Sequence, residues 1–263
     1  MKILFAGPSL VDDFPVLARR HPTVRFAGPL ARGDLLAAVR AGATAVGIVD
    51  GLFREAPPVW HKEILYALSL GVAVAGGASM GALRAAECAP FGMVGIGRVH
   101  ALFADGSEID DACVAQVHAP EPLGWQVLSE AIVTVDATIA AASRNGAVTD
   151  AEADALRRAN RALAYADRTF ETVAALAIAD PARRAVVARA LHAHRDDVKR
   201  QDGLAVLDWL VARPDRLGPP PTDWTFAETS QWTAFLAEVG DVSAIRSANA
   251  TVPELGVGGS VGA

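Results

Sequence analysis

The chain has 263 residues, 52% hydrophobic and 21% charged, which supplies a substantial core and excludes a chain disordered throughout. Its formal net charge of -6 includes no Lys/Arg block, so the basic footprint that a phosphate backbone requires is missing and no nucleic-acid partner is expected. Only two cysteines occur, Cys88 and Cys113, with no C-x-x-C pair and no His or Cys at zinc-ligand spacing; a disulfide framework, a metal site and a cofactor are not expected.

The first apolar run, Ile3-Leu4-Phe5-Ala6, stops at Gly7-Pro8, too early for the apolar core of a signal peptide. That points to a cytoplasmic protein with free thiols. Short β-like runs then alternate with helical periods: 2–6 with 10–20, 24–27 with 33–41, 44–49 with 60–70, and 72–75 with 80–88. Near-continuous apolar strands belong to a sheet buried on both faces, so these four units predict a small, doubly wound, mainly parallel α/β domain. Residues 64–83 carry no charge, but Gly71, Gly76, Gly77 and Gly81 interrupt them at turn positions, which argues for a buried segment and against a membrane span. In such a sheet ligands bind beyond the carboxyl ends of the strands, and Ser9, Asp50 and Ser79 follow the first, third and fourth strands.

After Gly92-Met93-Val94-Gly95-Ile96-Gly97, residues 98–118 read as short strand-like runs around the turn Asp105-Gly106 and the pair Asp110-Asp111. From Trp125 the chain becomes Ala-rich and helical. Asn145-Gly146 ends one helix, Thr149-Asp150-Ala151-Glu152 reads as a capping box, and Asp180-Pro181 starts a helix toward His194. A shorter helix over 203–211 stops before Arg213-Pro214, Pro219-Pro220-Pro221 breaks the chain, and 226–238 is a last helix. The expected division is an α/β core at 1–120, a helical domain at 121–240 and a flexible tail at 241–263, loosest from Gly256. The helical half is read as the element of association, with Lys199, Arg200 and Asp202 as surface charges open to a partner. His192 and His194 diverge around their helix and do not share a metal.

Gly77-Ala78-Ser79-Met80-Gly81 fits G-x-S-x-G on a strand-to-helix corner, where small neighbours permit a sharp turn that lifts a serine hydroxyl toward substrate. Against this stands the reading of Ser79 as a helix N-cap flanked by packing glycines. His61, at a helix start after the loop from Asp50, is the candidate general base. Asp50 either orients it, activates water, or is ordinary Asp-Gly turn chemistry. Arg84 and Glu87, three apart on one helix, form a surface pair by default, and Arg84 lies roughly 140° around the helix from Ser79, a supporting or partner-contact position. Lys62 and Glu63 diverge on their helix, leaving open which faces solvent. Asp110 and Asp111 either line the site, bind a cation or, by default, are solvated turn acids.

A longer ordered set of phrases resembles the TfuA-like family. It comprises Phe5-Ala6-Gly7-Pro8-Ser9-Leu10, Gly33-Asp34, Asp50-Gly51-Leu52-Phe53, His61-Lys62-Glu63-Ile64, Ser79-Met80-Gly81-Ala82-Leu83-Arg84-Ala85-Ala86-Glu87, Gly92-Met93-Val94-Gly95-Ile96-Gly97 and Asp110-Asp111, roughly residues 1–118. The resemblance implies a cytoplasmic accessory protein of ribosomal-peptide modification. Such a protein releases sulfide from a thiocarboxylated ubiquitin-like sulfur carrier and docks on a YcaO-type enzyme, which performs the ATP-dependent thioamide step. Cys88 stands where the family core often carries a plain hydrophobic residue, which argues against a persulfide role. Hydrolysing a thiocarboxylate means attacking a carbonyl that already bears negative charge, so the site must be cationic or rich in N–H groups. The start of the helix at Met80, with Gly77 and Gly81 shaping the corner, offers such groups. Hydrosulfide is a good leaving group, so strong acid assistance is less needed. The alternative is a non-catalytic adaptor that docks and activates the YcaO partner. A dinucleotide-binding domain is disfavoured by the absence of G-x-G-x-x-G after the first strand.

Overall fold

The computed structural model describes residues 1–53 and 56–240; the expected tail at 241–263 lies outside the described residues. Five strands, β1 (Lys2–Phe5), β2 (Val24–Ala27), β3 (Ala45–Ile48), β4 (Ala73–Gly77) and β5 (Val94–Ile96), form one all-parallel sheet in the order β2-β1-β3-β4-β5. The first four alternate with α1 (Phe14–Arg20), α2 (Asp34–Arg40), α3 (His61–Ser69) and α4 (Met80–Cys88), as the apolar pattern predicts. The strand-like runs expected after Gly97 are absent. Instead β5 is followed by α5 (Gly97–Ala104), making a fifth strand-helix unit. Val94-Gly95-Ile96 has too few residues to read as a strand alone; pairing of Gly77 with Ile96 and Ala75 with Val94 makes it one.

The strand order dictates the layers. Right-handed crossovers that step from β1 to β2 in one direction and from β2 through β5 in the other place α1 on one face and α2, α3 and α4 on the opposite face. The packing follows that rule. Ile3, Phe5, Val46 and Ile48 meet Leu35, Ile64 and Ala85 on the three-helix side, while Leu4, Ala6, Ala45 and Val49 meet Leu17 of α1 on the other. One short helix cannot cover that second face. The deficit is filled from far along the chain by α10 (Val198–Ala212), whose Val206, Leu207 and Leu210 join the same cluster. Gly47 permits the approach: a Cβ there would sit 2.8 Å from Leu4 Cδ1 and 2.9 Å from Val206 Cγ1.

Between the sheet and α10 the chain builds α6 (Ile132–Arg144), α7 (Asp150–Ala162), α8 (Phe170–Ala177) and α9 (Pro181–Ala193) around their own core of Val135, Ile139, Leu156, Phe170 and Leu191. The capping box is present, with the Glu152 N–H donating to Thr149 Oγ1 at 3.3 Å and the Thr149 N–H to Glu152 Oε2 at 2.8 Å. The last helix, α11 (Ser230–Val239), buries Trp232 and Phe235 against Leu36 of α2. None of the described helices is long and apolar enough to cross a membrane.

From beyond the expected boundary at 120/121, α10 thus packs on the sheet. The helix is also longer than the 203–211 read from the pattern, and of the three charges read as surface charges Arg200 is exposed while Lys199 and Asp202 are buried. Asp202 is buried and caps α5, its carboxylate accepting from the Arg98 N–H at 2.9 Å and the Val99 N–H at 2.8 Å. Arg200 makes a two-pronged pair with Asp13, at 2.7 and 2.8 Å, and Lys2 Nζ donates to the Val211 and Arg213 carbonyls at the far end of α10.

Glu63 shows the same inward turn on the other face. It is fully buried, and its carboxylate accepts from the Gly33 N–H at 2.9 Å and the Leu36 N–H at 3.3 Å, capping α2 from α3, with the Trp60 N–H at 3.1 Å on its second oxygen. Lys62 turns the other way, its ammonium 4.5 Å from the Phe226 ring centroid. Burial outweighs the three N–H donors and raises the Glu63 carboxyl from 4.5 to about 7.

Two expectations follow from this architecture. A raised carboxyl pKa means the folded state holds a proton that the unfolded chain has released, so stability falls as pH rises from 4.5 to about 7, by about 3 kcal/mol in the limit. Urea denaturation across that range should show the decline in the wild type and a shallower one in Glu63→Gln, where the raised Glu130, Asp136 and Asp202 carboxyls remain. A chain ending at His118 lacks α10 and leaves one sheet face uncovered, so it should fail to fold, seen as lost near-ultraviolet dichroism and aggregation.

Candidate functional site

The order of the sheet reverses between β1 and β3, which opens a crevice between their carboxyl ends. Asp50 follows β3 and Ser9 follows β1. The structure brings them together: Asp50 Oδ1 accepts from Ser9 Oγ at 2.7 Å, and Oδ2 accepts from the Gly7 N–H at 2.8 Å and the Ser9 N–H at 3.0 Å. Both side chains are buried. Three donors on one carboxylate fix the loop after β1, and they commit Asp50 to that loop in place of the imidazole expected beside it.

The corner after β4 is tight. Ala78, fully buried, takes φ 67°, and the Ser79 N–H closes a three-residue turn onto the Gly77 carbonyl at 2.8 Å. A positive φ on a residue with a Cβ is strained, and turns of this kind are rare. The strain rests on the residue before the serine. Gly81 lets α4 sit down on the sheet, since a Cβ there would lie 1.9 Å from the Ile48 carbonyl oxygen, and its N–H donates to the Val49 carbonyl at 3.2 Å. Of the N–H groups expected to face substrate, those of Ser79 and Gly81 are thus already used. The Met80 N–H has no acceptor among the described residues. Ser79 occupies the N-cap position of α4, yet its side chain makes no capping bond, so the capping alternative has no support in the geometry.

Ser79, Met80 and Asp50 line a cavity of about 550 Å³, whose wall also includes Asp111, Ala112 and residues 114–118, with Tyr165 and Lys199. That wall is held by a short antiparallel bridge between His118 and Val127, flanked by bonds from the Ala119 N–H to the Gln126 carbonyl at 2.8 Å and from the Val117 N–H to Ser129 Oγ at 2.7 Å. Ser9 meets the cavity only through Asp50.

His61 does not line it. Its Nε2 lies 2.8 Å from Glu87 Oε2, the same oxygen that accepts from Arg84 Nη1 at 2.6 Å, and Arg84 Nε also reaches the Val59 carbonyl at 3.3 Å. The three form a partly exposed cluster that ties α3 to α4, so Arg84 and Glu87 pair as read from their spacing, and the pairing takes His61 with them. The histidine that does line the cavity is His118. Its Nδ1 lies 3.0 Å from the Ala119 carbonyl, which can only accept, so in the neutral ring Nδ1 carries the proton and Nε2 is left as the base. The Trp125 ring meets it edge-on at 5.3 Å between centroids.

Lys199 was expected at the surface and is 2% exposed. Its Nζ donates to Gln116 Oε1 at 2.7 Å and the Val114 carbonyl at 3.0 Å. Burial pushes the ammonium below the ordinary lysine range, and the Asp50 carboxylate pulls it back. A signal for this existed: Lys199, Val206 and Leu210 stand at i, i+7 and i+11, on the apolar stripe of their helix. Cys88 and Cys113 are buried free thiols, raised by burial to about 11 and about 12, which keeps both protonated and unreactive near neutrality.

Residues 50–169 match the family model described as TfuA-like protein, whereas no curated protein matches the chain. The matched region differs from the 1–118 span of the resemblance: it omits β1, β2, β3 and Ser9, and reaches through α6 and α7 into the helical half. It contains Asp50, Ser79, His118 and Tyr165 of the cavity and stops short of Lys199. Residues 50–169 are thus similar to the TfuA-like domain, and they include the corner that bears Ser79.

Proposed function

We propose that this protein hydrolyses the C-terminal thiocarboxylate of a ubiquitin-like sulfur carrier, releasing sulfide for a YcaO-type enzyme that forms thioamides on a peptide. The observation that carries this reading is the strained corner at Ala78, which presents an uncapped Ser79 hydroxyl on the cavity beside the unspent Met80 N–H. Backbone strain maintained in a fully buried residue is the kind of feature that functional sites retain.

In the proposed reaction Ser79 Oγ attacks the thiocarboxylate carbon, and its proton passes to His118 Nε2. The tetrahedral oxyanion takes the Met80 N–H, the donor position that follows the nucleophile in an elbow. Collapse breaks the C–S bond: the sulfur takes the electron pair and the proton held on His118 Nε2, so it leaves as hydrosulfide and the imidazole is neutral again. Water then attacks the serine ester through the same base, giving the carrier carboxylate and free Ser79. The sum is thiocarboxylate plus water to carboxylate plus hydrogen sulfide. No redox partner is required, in keeping with two thiols held protonated by burial. Asp50 holds the loop after β1 that borders the cavity, and His61 with Arg84 and Glu87 stands outside the reaction.

The adaptor reading draws on exposed apolar side chains in the segment that includes the cavity wall, Ile109 at 89% and Leu123 at 67% exposure. One substitution separates it from hydrolysis. Because Ser79 makes no cap, Ser79→Ala should change stability by no more than about 0.5 kcal/mol. It should still lower conversion of thiocarboxylated carrier, followed by mass, by at least about 10³-fold. Unchanged thioamide formation with Ser79→Ala in a reconstituted system would favour the adaptor. Between the histidines, His118→Gln should cost about 10² to 10⁴ in rate, while His61→Gln leaves the rate as it was.

A further inference from the structure

Lys199 is an ammonium sealed into the fold without a carboxylate bonded to it. A buried cation is costly unless paired, and its two acceptors, the Val114 carbonyl and the Gln116 amide oxygen, are neutral. An ammonium has three N–H donors; two are used, and the third has no acceptor among the described residues. The nearest acid on the same cavity, Asp50, has its carboxylate occupied by Ser9 and Gly7, and Asp111, the other acid on the lining, is exposed. Glu130 and Asp197, which also act on Lys199 through space, are engaged by Arg195 and by the start of α10. The cation thus lies on a cavity shared with Ser79 and the free Met80 N–H, and its counter-ion has to arrive with a ligand.

We infer that Lys199 is the anion anchor of the cavity and binds the terminal carboxylate or thiocarboxylate of a polypeptide, placing the acyl carbon at Ser79. The inference rests on the reading of the cavity as a carrier-tail site and adds the residue that neutralises the charge. It also gives the C-terminal half a part in the chemistry, since α10 brings the one cation that lines the cavity among the described residues. Lys199 is a positioning and charge-neutralising residue; the bond-breaking step stays with Ser79.

The test uses the full chain and two synthetic peptides with the same sequence ending in Gly-Gly, one a free acid and one an amide. Calorimetry should show the acid binding about ten- to a hundredfold tighter than the amide, the range for a charge-assisted hydrogen bond, and Lys199→Met should erase the difference. Equal binding of acid and amide to the wild type would overturn the inference, as would a folded Lys199→Met that still prefers the acid. Should Lys199→Met fail to fold, the wild type decides. The chain has three lysines, Lys2, Lys62 and Lys199, so ¹³C-lysine labelling gives a spectrum in which the acid alone should move the Lys199 signal. No movement of that signal would overturn the inference. The hydrolysis reading fails separately: acid binding that depends on Lys199, with no turnover of thiocarboxylated carrier, leaves the anion site standing and removes the hydrolase.

Discussion

The seating of α10 on the sheet is the contact on which the rest of the molecule depends. A β2-β1-β3-β4-β5 order leaves one face of the sheet with a single local helix, and a parallel sheet does not tolerate a wet face. Val206, Leu207 and Leu210 close that face over Gly47, where there is no side chain to hold them off. The same helix reaches outward with its polar residues: Asp202 supplies the acceptor that the first turn of α5 needs, and Lys199 enters the cavity wall. One packing event thus completes the core, caps a neighbouring helix and sets a charge at the ligand edge.

At that edge the two halves of the site are built by different physics. The β1 side is polar and rigid, because Asp50 gathers three donors from the loop at Gly7 and Ser9. The β4 side is steric. Gly81 allows α4 to contact the sheet backbone, Gly77 avoids the Ile96 carbonyl, and the bend this forces falls on Ala78. Close packing of the helix consumes the Gly81 N–H and spares that of Met80, so the number of donors available to a ligand is decided by how deeply α4 sits. The G-x-S-x-G spacing is therefore a packing requirement and, under the proposed function, a site requirement as well.

Charges turned inward recur across the structure. Glu63 caps α2 from α3, Asp202 caps α5 from α10, and Lys199 bonds the wall at Val114, each buried and each bound to backbone groups. Backbone groups at helix ends need partners wherever water is excluded, and a charged side chain from a distant element meets that need more strongly than a neutral one. The cost appears as the shifts of Glu63, upward, and Lys199, downward, both led by burial.

Alternating apolar runs determined the parallel sheet, because strands buried on both faces must be apolar along their whole length, and Gly77, Ser79 and Gly81 marked the corner because only small residues fit it. The spacing of Arg84 and Glu87 was equally legible, since neighbours three apart on a helix meet whatever surrounds them. What the sequence did not contain was which distant segment covers the second face, and from that came the misplacement of Lys199 and Asp202 at the surface. The choice between His61 and His118 likewise turned on contacts made across elements: Glu87 on α4 draws His61 away, and the bridge from 118 to 127 sets His118 in the wall. Local pattern reports the periodicity and the sterics of one element at a time. The partner of a buried charge is chosen by the folded chain, where desolvation makes the nearest complementary group decisive regardless of its distance in sequence.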